Sequence, residues 1–319
     1  MLPQVSVVVI FLDAGRFLRE AVDSVIAQDF ADWELILVDD GSSDGSTEIA
    51  REYAAVHPDR IRCLDHPGHA NRGMSASRNL GVTSCRAGLL AFLDSDDVWL
   101  PGKLSEQVAL MGAHPQAGVI FGQTRFWFGW TGDERDARRD FTWRLDYPTG
   151  TVIEPPALLY HAPLGNCLKP SMSNFMVRRD VLDRIGGFEE PFRNLREDYV
   201  FWIKVFHEVT VFHAEACWDW CRHHESSHGS ISLPPAARRE ETRRYYQWVL
   251  DYFRVRRVSD AYLLSILADF RQRLARPWLY RFLPRHHLGR LYRVYLRILQ
   301  RGLGGEVRGR IARARRGAW

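Results

Sequence analysis

The feature that most limits what this chain can become is an unbroken β-branched run near its start, VSVVVIFL (Val5 to Leu12). A strand with one face in water alternates apolar and polar residues. A run without alternation belongs to a strand covered on both faces, and so needs a layer above it and a layer below. The next segment, RFLREAVDSVIAQ, supplies one layer, since Phe17, Leu18, Ala21, Val22 and Val25 fall on a single helical face. The pattern then repeats. Leu35 to Val38 (LILV) is a second buried strand that runs into DDGSSDGST, a loop and helix-start signal, and the helix STEIAREYAAVH opens over Ser46 to Glu48. Ile61 to Leu64 suits a short strand, MSASRNLGVTSC a helix broken at Gly81, and Leu89 to Leu93 another buried strand. Strand and helix in alternation predict a parallel sheet with helices on both faces.

Beyond residue 100 the texture changes. A helix with a proline stop (PGKLSEQVALMGAHP) leads into interleaved aromatics and charges, among them Phe126, Trp127, Phe128, Trp130, Trp143 and Tyr147. SNFMVRRDVLDRIGGF reads as strand, helix and Gly-Gly break, REDYVFWIKVFHE as a strong helix, and the chain after Pro234-Pro235 as mostly helical. The expected division is one α/β domain over 1–235 and a basic helical C-terminal extension over 236–319.

An apolar content of 46% in 319 residues is ample for a core and excludes collagenous, disulfide-rich and disordered classes. The five cysteines are odd in number and scattered, which argues for a reducing compartment. The opening residues carry no basic leader, and no stretch approaches the roughly 18 apolar residues that cross a bilayer. The chain is therefore expected in the cytoplasm, or peripherally on the inner face of the plasma membrane. Its net charge of +4 conceals an asymmetry. Residues 271–319 hold 14 arginines and one acid, a local charge of +13 that leaves 4 − 13 = −9 for the rest.

Two of the buried strands end in carboxylates: Asp39 and Asp40 with Asp44, and Asp94 with Asp96 and Asp97. In an open parallel sheet both sets lie along the carboxyl edge, where ligands bind. So many like charges call for a hard cation, Mg²⁺ or Mn²⁺, held by one or two carboxylates and completed by substrate phosphates. A strand-end or helix-cap role is the plain alternative for either cluster alone. DDGSSDG is not a calcium loop, because Arg51 stands where the closing Glu belongs. Cys217, Cys221, His223 and His224 are spaced too tightly to close a zinc tetrahedron.

The order VSVVVIFLDAGRFLREAVDSVIAQDF, WELILVDDGSSDGS, GMSASRNLGV, GLLAFLDSDDVW resembles the family 2 glycosyltransferases. The likeness continues through NFMVRRDVLDRIGGFEE and the pair Glu197-Asp198, and covers about residues 3–230. Any one motif is weak; the ordered set is specific. The resemblance implies an α/β fold of the GT-A nucleotide-diphospho-sugar transferase type, a mostly parallel Rossmann-like sheet flanked by helices. Residues 1–100 would form the nucleotide-sugar-binding half and 101–235 the acceptor half. It implies inverting transfer from a nucleotide-diphosphate sugar, a UDP-sugar first, to a hydroxyl acceptor in bacterial cell-surface polysaccharide or glycolipid synthesis.

Carried over residue by residue, Asp39 matches an aspartate that accepts a hydrogen bond from a ring N–H of the donor's base. Phe11 and Asp13 lie in the same base-binding region, where the family more often has Pro and Asn, so the base is left open. Arg78 matches an arginine beside the nucleotide that pairs a phosphate or orients Asp39. Asp94-Ser95-Asp96 looks like the D-x-D motif, with Asp96 as the direct ligand of a divalent metal and Asp94 facing the ribose or sugar. Asp97 supports that site from behind or caps a helix. Asp198 matches the general base that takes the acceptor hydroxyl's proton, and Glu197 is an acid favoured at the helix start. His224, in CRHHESSH, resembles a segment R-x-H-x-x-S that touches the diphosphate or the metal.

Some features keep two readings. The aromatic stretch is either an acceptor wall or packing for the smaller half. The tail sets an apolar stripe beside an arginine stripe in LGRLYRVYLRILQR. It either docks on an anionic membrane near a saccharide or lipid-linked acceptor, or packs on the catalytic domain. Nucleic acid is not expected as a partner, because no binding motif accompanies the basic residues. The rival functions are a nucleotidyltransferase, for which FLDAGRFL is a poor phosphate loop, and a catalytically degenerate nucleotide-sugar-binding protein. The retained Asp39, Asp94, Asp96 and Asp198 argue against the second.

Overall fold

A computed structural model describes residues 2–145, 147–161, 169–193, 195–225 and 234–275. These fall into two compact units, one holding the described residues of 2–145, 149–156 and 169–225, the other those of 147–148, 157–161 and 234–275.

The larger unit opens with β1 (Val5–Phe11), α1 (Leu18–Ile26), β2 (Trp33–Asp39), α2 (Ser46–Val56), β3 (Ile61–Asp65), α3 (Met74–Ser84) and β4 (Leu89–Asp94). It continues with β5 (Val98–Trp99), α4 (Lys103–Ala113), β6 (Val119–Trp127), α5 (Glu134–Ala137), β7 (Phe141–Trp143) and β8 (Thr151–Ile153). After α6 (Ala157–His161), which belongs to the smaller unit, come β9 (Met176–Arg178), α7 (Arg179–Ile185), α8 (Glu197–Glu208) and β10 (Val211–Arg222).

All ten strands join one sheet in the order β3-β2-β1-β4-β9-β6-β10-β5, with β7 on β6 and β8 on β10. The half from β3 to β4 is parallel, as the alternating pattern predicts. The second half is mixed: β9 lies antiparallel between β4 and β6, while β6 and β10 pair in parallel. Every residue of β1 and of β2 is buried. One face of the parallel half presents Val5, Val7, Val9, Leu35, Leu37, Ala91 and Leu93 to α1, Ala50 of α2 and Leu104 of α4. The other face carries Val8, Val38 and Phe92. Phe92 stacks on Phe175 at 5.2 Å and meets Phe188 edge-on at 5.3 Å.

Gly81 does not break its helix, contrary to the sequence expectation; α3 runs through it to Ser84. A Cβ there would sit 2.5 Å from Cγ1 of Val8 and 3.4 Å from Cγ2 of Val38. The glycine is therefore a close-packing residue that lets α3 lie directly on β1 and β2. Side-chain volume decided this position, not helix propensity.

The smaller unit centres on α9 (Pro235–Val255) and α10 (Ala261–Ala275). Tyr245, Val249 and Phe253 are buried with Leu263, Ile266, Leu267 and Phe270, and Tyr246 packs on Phe270 at 4.4 Å. Proline opens α9, where its missing N–H is of no consequence. Most of the arginine-rich tail, from residue 276 onward, lies outside the described residues.

Candidate active site

Register places the two acid clusters side by side. Phe11 at the end of β1 pairs with Asp39 of β2, and Ile10 pairs with Asp94 of β4. Since all three strands are parallel, Asp39 and Asp94 flank β1 at one carboxyl edge, the usual ligand edge of such sheets.

The first cluster is satisfied from within the chain. Asp39 is fully buried; its Oδ1 accepts from the N–H groups of Gly41 (3.1 Å) and Ser42 (2.8 Å), and its Oδ2 from the Thr47 hydroxyl. Asp40 takes the N–H groups of Arg72 (2.7 Å) and Gly73 (2.9 Å), drawing that loop across the edge. Asp44 accepts from Gly15 N–H at 2.9 Å and from Ser46. Backbone amides thus do here what a cation was expected to do. Asp13 adopts a left-handed conformation (φ 47°), which Asp tolerates better than most residues. Its Oδ1 accepts from Ser43 N–H at 2.7 Å, while its own N–H donates to Ser42 Oγ at 3.1 Å. Phe11 is buried at the strand end. The N–H groups of Asp13, Ala14 and Gly15 all donate into the β2–α2 loop, so the β1–α1 loop offers no amide cradle for a triphosphate.

The second cluster is more open. The Asp94 side chain is 33% exposed, and its Oδ1 accepts from Nη2 of the buried Arg78 at 2.8 Å. Arg78 therefore orients Asp94. The expected contact with Asp39 is not among its hydrogen bonds, because Asp39 is already taken up by its own loop. Nη1 of Arg78 is buried without a hydrogen-bond partner. Burial works against the Arg78 charge, but Asp94, Glu197 and Asp198 outweigh it and hold the guanidinium charged. One arginine from α3 thus faces both the end of β4 and the start of α8.

Asp97 is no helix cap. It lies buried behind the site, its Oδ2 accepting from Ser173 Oγ at 2.6 Å and its Oδ1 from Arg222 N–H at 2.9 Å. Burial, with Asp96 and Asp94 beside it, pushes its carboxyl well above the usual range. Ser173 Oγ also accepts from Asp94 N–H at 3.0 Å. Arg222 donates from Nε to the Asp96 carbonyl at 2.8 Å and from Nη2 to Glu20 at 2.6 Å. Ser173 and Arg222 thereby bracket the turn from two sides.

Asp96 and His224, read from the sequence as the metal residues, are brought together: His224 Nε2 stands 3.0 Å from Asp96 Oδ2. Phe17 packs on the imidazole at 4.6 Å. Among the described residues no three His, Cys, Asp or Glu side chains converge for a metal. A partly exposed carboxylate beside an imidazole nonetheless fits a Mg²⁺ or Mn²⁺ ion that takes its remaining ligands from a substrate. The zinc alternative fails in the fold, since His223 stacks on Phe128 at 4.6 Å and Cys217 contacts the Asp219 carbonyl.

Asp198 occupies the first turn of α8, behind an N-cap residue, Arg196, in the left-handed region (φ 71°). Its Oδ1 accepts from Tyr199 N–H at 2.7 Å, and its Oδ2 is in contact with Lys169 Nζ. Burial and the neighbouring Asp198 push Glu197 up to about 7, against the opposing pull of Arg78 and Lys169. Sequence reasoning missed Lys169, Ser173 and Arg222. Two of them carried a signal: Lys169 is one of three lysines, with Lys103 and Lys204, among 43 basic residues, and Arg222 opens the R-x-H-x-x-S segment that holds His224.

Several rings of the aromatic stretch are engaged with one another or with Arg222. Phe126 stacks on Phe141 across the β6–β7 pair at 4.8 Å. Trp127 and Trp130 flank the Arg222 guanidinium at 4.5 and 5.5 Å.

Comparison with known proteins agrees with this architecture. The family model for Glycosyl transferase family 2 matches residues 6–186. EpsE of Bacillus subtilis (strain 168) is 36% identical over 207 residues, 65% of this chain and 68% of that protein. The UDP-Glc:alpha-D-GlcNAc-diphosphoundecaprenol beta-1,3-glucosyltransferase WfaP of Escherichia coli is 26% identical over 202 residues, 63% of this chain and 69% of that one. Residues 1–349 of S. aureus TarS, solved with UDP-GlcNAc, superpose with a TM-score of 0.62 at 20% identity, covering 85% of this chain and 72% of theirs.

Proposed function

Because this chain belongs to glycosyl transferase family 2, we propose that it moves a sugar, with inversion, from a UDP-sugar to a hydroxyl of a saccharide or lipid-linked acceptor. One observation carries the reading. Buried Arg78 contacts Asp94 at the end of β4 and faces the charges of Glu197 and Asp198 on α8, so the D-x-D turn and the base helix share one centre.

In this reading the donor's diphosphate meets the strand edge beside Asp94, Asp96 and Arg78. Asp39 and Asp13 shape the loop that receives the base, with Phe11 beneath it. A direct contact of Asp39 with a ring N–H requires it to exchange one of its present hydrogen bonds. Asp94, aimed by Arg78, faces the ribose or sugar. A Mg²⁺ or Mn²⁺ ion held by Asp96 and His224 would supply charge neutralisation for the departing diphosphate. Asp198 accepts the acceptor's hydroxyl proton as that oxygen attacks the anomeric carbon. The acceptor class is supported by the likeness to WfaP, whose name gives a sugar diphosphoundecaprenol as acceptor. The strongly basic stretch 271–319 suits a peripheral contact with the anionic membrane that would hold such a lipid.

Calorimetry with UDP, GDP and dTDP, with and without Mn²⁺, tests the donor site in wild type, Asp96→Ala and His224→Ala. UDP should bind most tightly, and only with Mn²⁺. Each substitution should weaken it by about tenfold or more, roughly 1.4 kcal/mol. Absence of nucleotide binding under every condition would overturn the reading.

A further inference from the structure

The chain places nearly all its positive charge on arginine. Of its three lysines, Lys103 and Lys204 are buried and Lys169 is half-buried. Lys103 Nζ donates to Gln107 Oε1 at 2.6 Å and to the Asn174 carbonyl at 3.1 Å. Lys204 Nζ donates to the Gly187 carbonyl at 2.7 Å and to Glu189 at 2.8 Å. Both hold structural acceptors. Lys169 differs, because its partner is Asp198, the group read above as the general base.

We infer that Lys169 is a positioning residue, whose ammonium pairs with Asp198 and aims it at the acceptor hydroxyl; the inference rests on the reading of Asp198 as the base. Three observations support it. First, both oxygens of Asp198 are engaged, one by its neighbour's amide and one by Lys169, so the carboxylate has a set orientation. Second, Lys169 does not stand on a free loop. It leads into Pro170 and a tight turn in which Asn174 N–H donates to the Ser171 carbonyl and Ser173 N–H to Ser171 Oγ. Ser173 then grips Asp94 and Asp97. The ammonium is thus tied to the D-x-D bracket while it touches α8. Third, Asp198 sits beside a second carboxylate, Glu197, that tends to hold a proton near neutrality. The groups facing this pair are Arg78 from α3, Lys169 from the segment before β9, and Tyr199 on α8. The Tyr199 ring lies 5.3 Å from Lys169 Nζ and 5.7 Å from the Arg196 guanidinium.

An ammonium in contact with one of two neighbouring carboxylates favours the charged form of that one. Near neutrality burial holds a proton on Glu197, and the ammonium contact fixes which way the neighbouring Asp198 carboxylate faces. During transfer the acceptor O–H bond breaks and its proton goes to Asp198. The acceptor oxygen bonds to the anomeric carbon, whose bond to the diphosphate oxygen breaks. Lys169 keeps all its protons throughout.

The test follows release of UDP from UDP-glucose and from UDP-N-acetylglucosamine with Mn²⁺, water serving as acceptor, in wild type, Lys169→Met, Asp198→Asn and the double variant. Lys169→Met should lower kcat about tenfold or more, a part of what general-base catalysis contributes. It should leave the donor KM within about twofold and move the acid limb of the pH profile upward. The double variant should be no slower than Asp198→Asn. A Lys169→Met enzyme with an unchanged kcat and acid limb would overturn the inference, as would the same loss in the Asp198→Asn background. Full activity of Asp198→Asn would instead break the base assignment, whatever Lys169→Met does. If Lys169→Met does not fold, or neither donor turns over, ¹⁵Nζ NMR of lysine-labelled protein decides. Lys169 should lose its proton at a lower pH in Asp198→Asn than in wild type, and identical midpoints would overturn the pairing.

Discussion

Glu197 and Asp198 are neighbours on one helical turn, yet the fold treats them differently. Glu197 is buried, and its carboxyl rises from an ordinary 4.5 to about 7. The folded chain therefore holds a proton that the unfolded chain releases between those values. Its contribution to stability is complete below about pH 4.5 and is lost as pH climbs through 7. Glu197→Gln should remove that dependence. Relative to wild type, the variant should gain up to ~3 kcal/mol in urea unfolding between about pH 5 and pH 8. A constant difference between the two proteins across that range would show that Glu197 does not titrate this way. The same contrast runs through the strand-end acids. Asp39, Asp40 and Asp44, together with Asp94 to Asp97, look from the sequence like carboxylates in need of a cation, but each of the first three is taken up by backbone amides that appear only once the loops have closed.

At the scale of elements, α3 is the member that joins packing to chemistry. Gly81 lets it rest on β1 and β2, and Arg78, one turn earlier, reaches Asp94. Gly81→Ala should gain about 1 kcal/mol of helix propensity and lose about 1–3 kcal/mol to overpacking. Val8 is β-branched and fully buried in β1, so it cannot yield. The net expectation is a destabilised protein in chemical denaturation, together with weaker UDP binding as Arg78 lifts away from Asp94. A stabilised variant with unchanged UDP affinity would show that the helix stands farther from the sheet. Apart from the two-residue β5, the elements of the first hundred residues were legible because buried parallel strands and amphipathic helices leave opposite periodicities in the chain. β6 and β10 were not legible. Their aromatic, charged and small residues alternate irregularly, and β10 is bulged between His213 and Asp219.

For the whole molecule, the decisive quantity is the division of charge. Residues 276–319 carry 12 arginines and one glutamate, against an acidic remainder. Full-length protein should therefore float with vesicles of anionic lipid and be released at about 0.5 M salt, where screening shortens to a few ångströms. A chain ended after residue 275 should stay behind; equal flotation of the two would remove the tail from membrane contact. What the sequence determined by itself was local: buried strands, amphipathic helices, acidic strand ends and the ordered motifs of a family, all written in neighbouring residues. What only the tertiary structure decided was which distant residues meet. Lys169 reaches Asp198 across 29 positions, Arg78 reaches Asp94 across 16, and Arg222 reaches the Asp96 carbonyl across 126. No periodicity records such pairings, because they arise from how strands are ordered in the sheet and how closely a helix without a side chain at Gly81 can approach it.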